Sequence, residues 1–125
     1  MSTEYFARKA ADFAFERKAL DVIVIDLRQR SAYADFLVMA SGTSDRHVQS
    51  ISEHISTSLA KLGTKVQGIE GLREGQWALI DFGSIVVHVF HQYTRQVYDI
   101  EAMWEDAPRL CVCDTSTTVP ISATH

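Results

Sequence analysis

The sequence predicts a single α/β (α+β) domain, in which a mixed five-stranded sheet is flanked by helices in the order αββαβββα. Three observations lead to this fold class. The chain has 125 residues, of which 46% are hydrophobic, so one domain with a substantial core is expected. Segments with helical spacing of apolar residues alternate with short runs rich in β-branched residues. The pair Gly83-Ser84, between two apolar runs, predicts a tight hairpin.

The helices are predicted from apolar residues that recur every three or four positions. The first helix, 3–18, carries such a stripe and has Thr3 as its candidate N-cap. The second helix, 45–62, ends before Gly63, a residue type that is common at helix C-caps. The last helix, 93–105, is predicted from one stripe of large residues. That stripe consists of Tyr93, Val97, Ile100 and Trp104.

The strands are predicted from short apolar runs. The run at 21–27 is rich in β-branched residues, and the run at 35–41 is apolar enough to be buried on both faces. A weaker strand is predicted at 64–71, and two strong strands at 76–82 and 85–91 flank the hairpin. A tight hairpin joins antiparallel strands, whereas a strand-helix-strand crossover favours a parallel pair. The sheet should therefore be mixed.

The predicted domain covers residues 1–108, and residues 109–125 are predicted to be a disordered tail because they are rich in small polar residues and show no period. Cys111 and Cys113 are separated by one residue and give no disulfide framework, which indicates a reducing, cytoplasmic setting. The N-terminus has no secretory signal pattern, and no apolar run is long enough to span a membrane. No membrane association is therefore expected.

The charge is unevenly distributed along the chain. The net charge is −4, yet residues 1–65 carry nine basic and eight acidic side chains, and residues 66–125 carry three basic and eight acidic ones. A general nucleic-acid binder needs a basic face, so direct binding of free nucleic acid is not expected. An acidic half favours a basic protein partner. The alternative is that the acidic residues only keep the surface soluble.

The stretch SGTSDRHVQS, residues 41–50, has two interpretations. A glycine and two hydroxyl residues before a helix are compatible with an anion-binding helix N-terminus, or with a turn and an N-cap formed by Thr43 or Ser44. Asp45 would repel a phosphate, which favours the cap.

A nucleotide-transferring enzyme also needs paired carboxylates to hold Mg²⁺. The only acids spaced by one residue, Asp99 and Glu101, lie on different sides of the predicted last helix. No catalytic residue is therefore predicted.

The histidines do not predict a metal site. His88 and His91 are three apart on a strand and should point to opposite faces. His47 and His54 are seven apart on a helix, roughly 10 Å along its axis, which is too far for one ion. Neither a metal nor a cofactor is predicted.

Trp77 is the most unusual residue of the predicted sheet. It shares one strand face with Leu79 and Asp81, so a large aromatic ring stands beside a carboxylate. A core face would not hold Asp81 unless that carboxylate were paired. An indole near acids suits a protein–protein hot spot for a partner with Arg or Lys. A core tryptophan with Asp81 at a solvent-facing strand end is an equal alternative.

Three blocks carry a resemblance to a known family: KALDVIVIDL, YADFLVMASGTSDRHVQSI and EGQWALIDFGSIVVHVFHQYTRQVYDIEAMW. The second contains Gly-Thr-Ser-x-Arg-His at a helix start. The third contains Trp-x-x-x-Asp-x-Gly-x-x-x-x-His, followed by Arg-x-x-Tyr-x-x-Glu. On these motifs, the run from about Lys18 to Trp104 resembles the Iojap-like family of ribosomal silencing factors.

The resemblance implies a nucleotidyltransferase-like fold that has lost catalysis, so the chain is not expected to be an enzyme. It also implies binding to large-subunit ribosomal protein fourteen on the face where the small subunit docks. Such binding would sterically block subunit joining and repress translation. The matching positions for the partner surface are Trp77, Asp81, Glu70 and Tyr98. Arg46 and His47 match the helix-start motif, with a structural or a contact role.

Two other functions stay open at this point. One is a nucleotidyltransferase-type or phosphate-handling enzyme that acts at the start of the second helix. The other is an RNA-binding module, which the net charge disfavours. An apolar face on such a domain also allows self-association, so a homodimer is a further candidate besides the large ribosomal subunit.

Overall fold

The computed structural model describes residues 2–114, and the predicted tail beyond residue 114 lies outside the described residues. In chain order the elements are α1 (Thr3–Glu16), β1 (Leu20–Asp26), β2 (Phe36–Gly42), α2 (Asp45–Lys61), β3 (Gly68–Glu70), β4 (Trp77–Asp81), β5 (Ile85–His91), α3 (Gln92–Tyr98), a 3₁₀ helix (Ile100–Trp104) and β6 (Arg109–Leu110). The predicted class and the predicted order of the first eight elements are confirmed. Within the described residues, no helix is both long and apolar enough to cross a bilayer.

The strands form one mixed sheet in the order β3-β4-β5-β2-β1-β6. The central neighbours β2 and β5 are parallel, with Val38 opposite Val87, and the other pairs are antiparallel. The hairpin predicted at Gly83-Ser84 joins β4 to β5. The crossover from β2 through α2 therefore passes over β5 and β4 and reaches the sheet edge at β3. The predicted mixed sheet is confirmed.

The two faces of the sheet are covered to different extents. One face packs against α1 and α2. The layer between sheet and helices buries side chains such as Val38 of β2 and Ile51 of α2. The other face buries Met39 and is covered in part by Ile100 and Trp104. We call this second face the open face; its side chains on β4 and β5 include Trp77, Leu79, His88 and Phe90. The open face therefore holds apolar groups that the fold itself does not fully cover.

Within the described residues, a sixth strand corrects the predicted strand count. Arg109 and Leu110 pair antiparallel with β1, opposite Ile25 and Val24. Asp26 donates its backbone N–H to the Pro108 carbonyl at 2.8 Å, which continues the ladder. Arg109 and Leu110 are extended here because the edge of β1 supplies hydrogen-bond partners.

The predicted last helix is broken at Asp99, which corrects the single helix 93–105. Asp99 has φ +40° and ends α3, and a separate 3₁₀ turn follows. The predicted stripe is divided as a result. Ile100 and Trp104 pack on the open face, whereas Tyr93 and Val97 are exposed.

The helix ends show how local side chains fix the elements. Ser2, rather than the predicted Thr3, caps α1, and its Oγ accepts the Tyr5 N–H at 3.1 Å. Ser44 caps α2, and its Oγ accepts the His47 N–H at 3.0 Å. At the other end of α2, Gly63 takes φ +99°, as expected for a C-cap glycine.

Replacing Ser44 with alanine is expected to lower the free energy of unfolding by about 1 kcal/mol, because the His47 N–H loses its capping acceptor. Urea denaturation followed by far-UV circular dichroism measures the change. Ser50→Ala, within the same helix, is the matched control and should leave stability unchanged or slightly raised, since alanine favours helix interiors. An equal loss in both variants would argue against the cap.

Candidate functional site

An aromatic cluster lies on the open face where β4, β5 and α3 meet. We define the aromatic cluster as Trp77, His88, Phe90 and Tyr98. Trp77 begins β4 opposite Phe90, and its ring centroid lies 4.9 Å from the rings of both Phe90 and Tyr98. Trp77 is half-buried, whereas Tyr98 is 58% exposed. The cluster therefore presents aromatic surface to the outside from a rigid sheet.

His88 binds the indole of Trp77 from the neighbouring strand. The Trp77 Nε1–H donates to His88 Nδ1 at 2.9 Å, and the two ring centroids lie 5.9 Å apart. His88 is buried, and this burial lowers its pKa to about 4. The imidazole is therefore neutral at pH 7. Because Nδ1 accepts the indole proton, the ring proton is placed on Nε2.

Because burial lowers the pKa of His88 in the folded protein, the free energy of unfolding is expected to decrease as the pH is lowered. As pH falls from about 6.5 towards about 4, the unfolded chain binds a proton at this residue that the folded chain does not. The contribution of His88 to the free energy of unfolding is complete above about pH 6.5, and it is lost as the pH falls from about 6.5 to about 4. Urea denaturation from pH 7 to pH 4.5 should show a steeper decline for the wild type than for His88→Gln. Equal slopes would contradict the buried neutral imidazole.

The two predicted carboxylates have different surroundings. Glu70 pairs with Leu79 in the β3–β4 ladder, so it lies on the open face beside the Trp77 strand, and it is exposed. Asp81 lies on the same face at the far end of β4, about 13 Å along the strand from Trp77. Its Oδ1 accepts the Gly83 N–H at 2.7 Å and so stabilises the hairpin turn. Glu70 is available to a partner, whereas part of Asp81 is already used by the fold.

An apolar groove continues the open face beyond the aromatic cluster. It has a volume of about 200 Å³ and is lined by Leu27, Tyr33, Ala34, Leu37, Val86, His88, Ile100, Met103 and Trp104. Tyr33 is 75% exposed and Met103 is 69% exposed, although both side chains are large. His88 belongs to the cluster and to the groove, so the two form one surface. Contiguous exposed apolar surface of this kind is typical of a protein-binding site.

Arg95 of α3 ties this helix to the sheet. Its guanidinium is almost fully buried and donates to the Asp21 carbonyl at 2.7 Å and to Ser41 Oγ at 2.8 Å. Its Nε donates to Glu101 Oε1 at 2.6 Å, and this bond lowers the pKa of Glu101. One side chain thus joins β1, β2 and the 3₁₀ helix. Arg95 and Tyr98 belong to the same short helix, so this anchor holds the helix that carries Tyr98.

The polar groups at the start of α2 are bound within the chain. The Thr43 N–H donates to His47 Nδ1 at 2.9 Å, and Gln76 Nε2 donates to Asp45 Oδ1 at 2.5 Å. Gly75 has φ +69°, and a Cβ at that position would lie 2.7 Å from Asp45 Cβ. The loop before β4 therefore lies directly against the helix start. This arrangement agrees with the turn-and-cap interpretation.

The helix-start histidine is structural in this arrangement. His47 Nε2 lies 2.7 Å from the Arg17 carbonyl oxygen, so its ring connects the ends of α1 and α2. Asp99 and Glu101 do not form a carboxylate pair, because Asp99 ends α3 and Glu101 is bound to Arg95. Among residues 2–114, no group of three or more His, Cys, Asp or Glu side chains is placed to hold a metal.

The structure brings two of the four predicted partner-binding residues, Trp77 and Tyr98, into direct contact. It places the other two, Glu70 and Asp81, on the same face of the β3–β4 pair. Sequence reasoning missed the groove residues Tyr33 and Met103. Tyr33 lies in a polar connection, and no periodic pattern marks it.

The family model described as "Ribosomal silencing factor during starvation" matches residues 1–124. The Ribosomal silencing factor RsfS of Bacillus subtilis (strain 168) is 35% identical over 108 residues, which cover 86% of this chain and 92% of that protein. The mouse protein named "Mitochondrial assembly of ribosomal large subunit protein 1" is 32% identical over 92 residues, 71% of this chain and 40% of its own length.

A solved structure agrees with these matches. A crystal structure of a Chromobacterium violaceum protein has a TM-score of 0.82 and 29% sequence identity to this chain, and covers 92% of this chain and 97% of its own. The resemblance drawn from the sequence motifs is thus confirmed, because the family model spans nearly the whole chain and the Bacillus relative is matched over most of its length. The chain belongs to the family of ribosomal silencing factors.

Proposed function

We propose that this protein represses translation by binding the large ribosomal subunit through ribosomal protein fourteen and by blocking the small subunit sterically. The observation that carries the proposal is the surface formed by the aromatic cluster and the adjoining groove. It is apolar and partly exposed, and its aromatic cluster is carried by β4, β5 and α3, which is typical of a hot spot for a protein partner. The name of the mouse relative, which refers to the large ribosomal subunit, supports the choice of particle.

Charge supports a basic protein partner. Glu70 is exposed on the open face, and the second half of the chain carries eight acidic and three basic side chains. Such a surface accelerates and selects encounters with a protein rich in Lys or Arg. We propose Trp77 and Tyr98 as central contacts and Glu70 and Asp81 as flanking acidic contacts. The proposed place of action is the cytoplasm, where bacterial subunits join.

The enzyme alternative has less support. Transfer of a nucleotide would need an accessible helix start and carboxylates that hold Mg²⁺. Asp45 is bound by Gln76, and Glu101 is bound by Arg95. Mg²⁺-dependent turnover that Asp45→Ala or Asp81→Ala abolishes would favour the enzyme over the repressor.

Sucrose-gradient sedimentation tests the proposed function. Purified large subunits are mixed with a small excess of the protein before small subunits are added. We expect the protein to migrate with free large subunits and the joined-ribosome peak to shrink. A steric block also predicts an order effect, so ribosomes joined before the protein is added should dissociate much more slowly. Normal joining at a large excess of protein would refute the proposal.

We propose that self-association of the protein would use the surface formed by the aromatic cluster and the groove. A homodimer formed through the open face would cover Trp77 and compete with ribosome binding. Sedimentation equilibrium of the protein alone, followed by addition of large subunits, distinguishes the two states. Binding that releases monomer from a dimer supports a shared surface, whereas an intact dimer on the subunit places self-association elsewhere.

A further inference from the structure

The indole of Trp77 is held by His88, the histidine that ends the motif Trp-x-x-x-Asp-x-Gly-x-x-x-x-His. Trp77 and His88 lie on adjacent antiparallel strands, and His88 pairs with Leu79, two residues along from Trp77. Packing of Trp77 against Phe90 and Tyr98 restricts where the ring lies. Packing alone does not select which edge of an indole faces inward. The 2.9 Å bond from Nε1–H to His88 Nδ1 supplies that selection.

We propose that His88 is a positioning residue for partner binding, which orients Trp77 on the docking surface by accepting its indole N–H. The inference rests on the proposed function, since it concerns the same surface. With the N–H engaged inside the protein, the indole offers its carbon surface to the partner. The partner group that meets Trp77 should then be an aliphatic or cationic side chain, and a hydrogen-bond acceptor is not required there.

The sheet makes this arrangement effective. His88 itself is flanked in the ladder by Met39 of β2 and Leu79 of β4, so its backbone is paired on both sides. It is only 9% exposed, and its neutral state at pH 7 leaves Nδ1 free to accept. A fixed acceptor on a central strand removes rotamer freedom from Trp77 before docking. Less side-chain entropy is then lost on binding.

Two variants of His88 separate the hydrogen bond from the packing. His88→Leu replaces the imidazole with an apolar side chain that has no acceptor, and His88→Gln supplies an amide acceptor in its place. The first readout is the indole ¹H–¹⁵N resonance of Trp77 in the free protein, identified with Trp77→Phe. We expect His88→Leu to shift this resonance and to speed its exchange with solvent, while His88→Gln keeps it protected.

The second readout is affinity for purified large subunits. We expect His88→Leu to weaken binding about tenfold, which corresponds to the loss of one hydrogen bond to a central contact, and His88→Gln to bind within about threefold of the wild type. In the Trp77→Phe background, which has no indole N–H, adding His88→Leu should cause little further loss. Full affinity of His88→Leu, or an equal further loss in that background, overturns the proposal.

The failure of this inference is distinguishable from the failure of the proposed function. The indole resonance is measured without ribosomes, so an unchanged resonance in His88→Leu overturns the positioning role alone. If His88→Leu does not fold, the variants Trp77→Phe and His88→Gln still test the positioning role of His88. A His88→Gln protein whose Trp77 indole is exposed to solvent, and which still binds with full affinity, also overturns that role. Failure of the wild-type chain to bind large subunits overturns the proposed function.

Discussion

Arg95→Met is expected to lower the free energy of unfolding by roughly 3 kcal/mol or more. The guanidinium is buried and makes three hydrogen bonds, to the Asp21 carbonyl, Ser41 Oγ and the Glu101 carboxylate. Methionine fills a similar volume but leaves the fully buried Ser41 hydroxyl and the Glu101 charge without this donor. Removing one partner of a buried ion pair costs more than the pair contributes, because the remaining charge is still partly desolvated.

Urea denaturation at pH 7 measures this loss. Arg46→Met is the matched control, since Arg46 is an exposed arginine in the first turn of α2, and a change within about 0.5 kcal/mol is expected. Because Arg95 also fixes α3, the Arg95 variant should weaken large-subunit binding by loosening Tyr98 even at temperatures where it stays folded. Equal stability of the two variants would show that the anchor is unimportant.

Trp77→Ala is expected to weaken binding to the large ribosomal subunit by roughly 2 kcal/mol or more, about 30-fold in Kd. The indole is the largest side chain of the aromatic cluster and contacts Phe90, Tyr98 and His88. Truncation removes the aromatic surface at the centre of the proposed interface. Fluorescence titration of labelled protein with purified large subunits measures the affinity.

The control for Trp77→Ala must be destabilised without changing the open face. Ile55→Ala meets this need, because Ile55 is fully buried in the α1–α2 layer on the other side of the sheet. It should lose stability and keep its affinity, provided that both variants are measured where they are folded. If the two variants bind equally well, Trp77 does not belong to the interface.

The parts of the fold that the sequence predicted correctly are those with local causes. The apolar stripe of α2, its hydroxyl cap and Gly63 each act within one turn of chain, and the Gly83-Ser84 hairpin acts between adjacent strands. For the cap the sequence left Thr43 and Ser44 open, and the structure selects Ser44. The fold class, the order of the elements and the mixed sheet were predicted from such local signals. The predicted helix N-cap at Thr3 was wrong by one residue, because Ser2 offers the same hydroxyl one position earlier.

The features that the sequence did not predict depend on distant contacts. Arg109 and Leu110 are extended because β1 offers an unpaired edge, which a two-residue pattern does not reveal. The break at Asp99 places Glu101 against Arg95, and no helical periodicity records that bond. Periodicity had predicted Trp77 on a mixed face, but its contact with Tyr98 and its bond to His88 required the packing of three elements.

Within the described residues, the two edge strands of the sheet are very short: β3 has three residues and β6 has two. A long, flat outer strand would act as a template on which further chains add, which is the first step towards fibrils. β3 and β6 each offer too few unpaired backbone N–H and C=O groups to bind another chain firmly. The protein can therefore expose the aromatic cluster while the addition of further chains at the edges of its sheet is disfavoured.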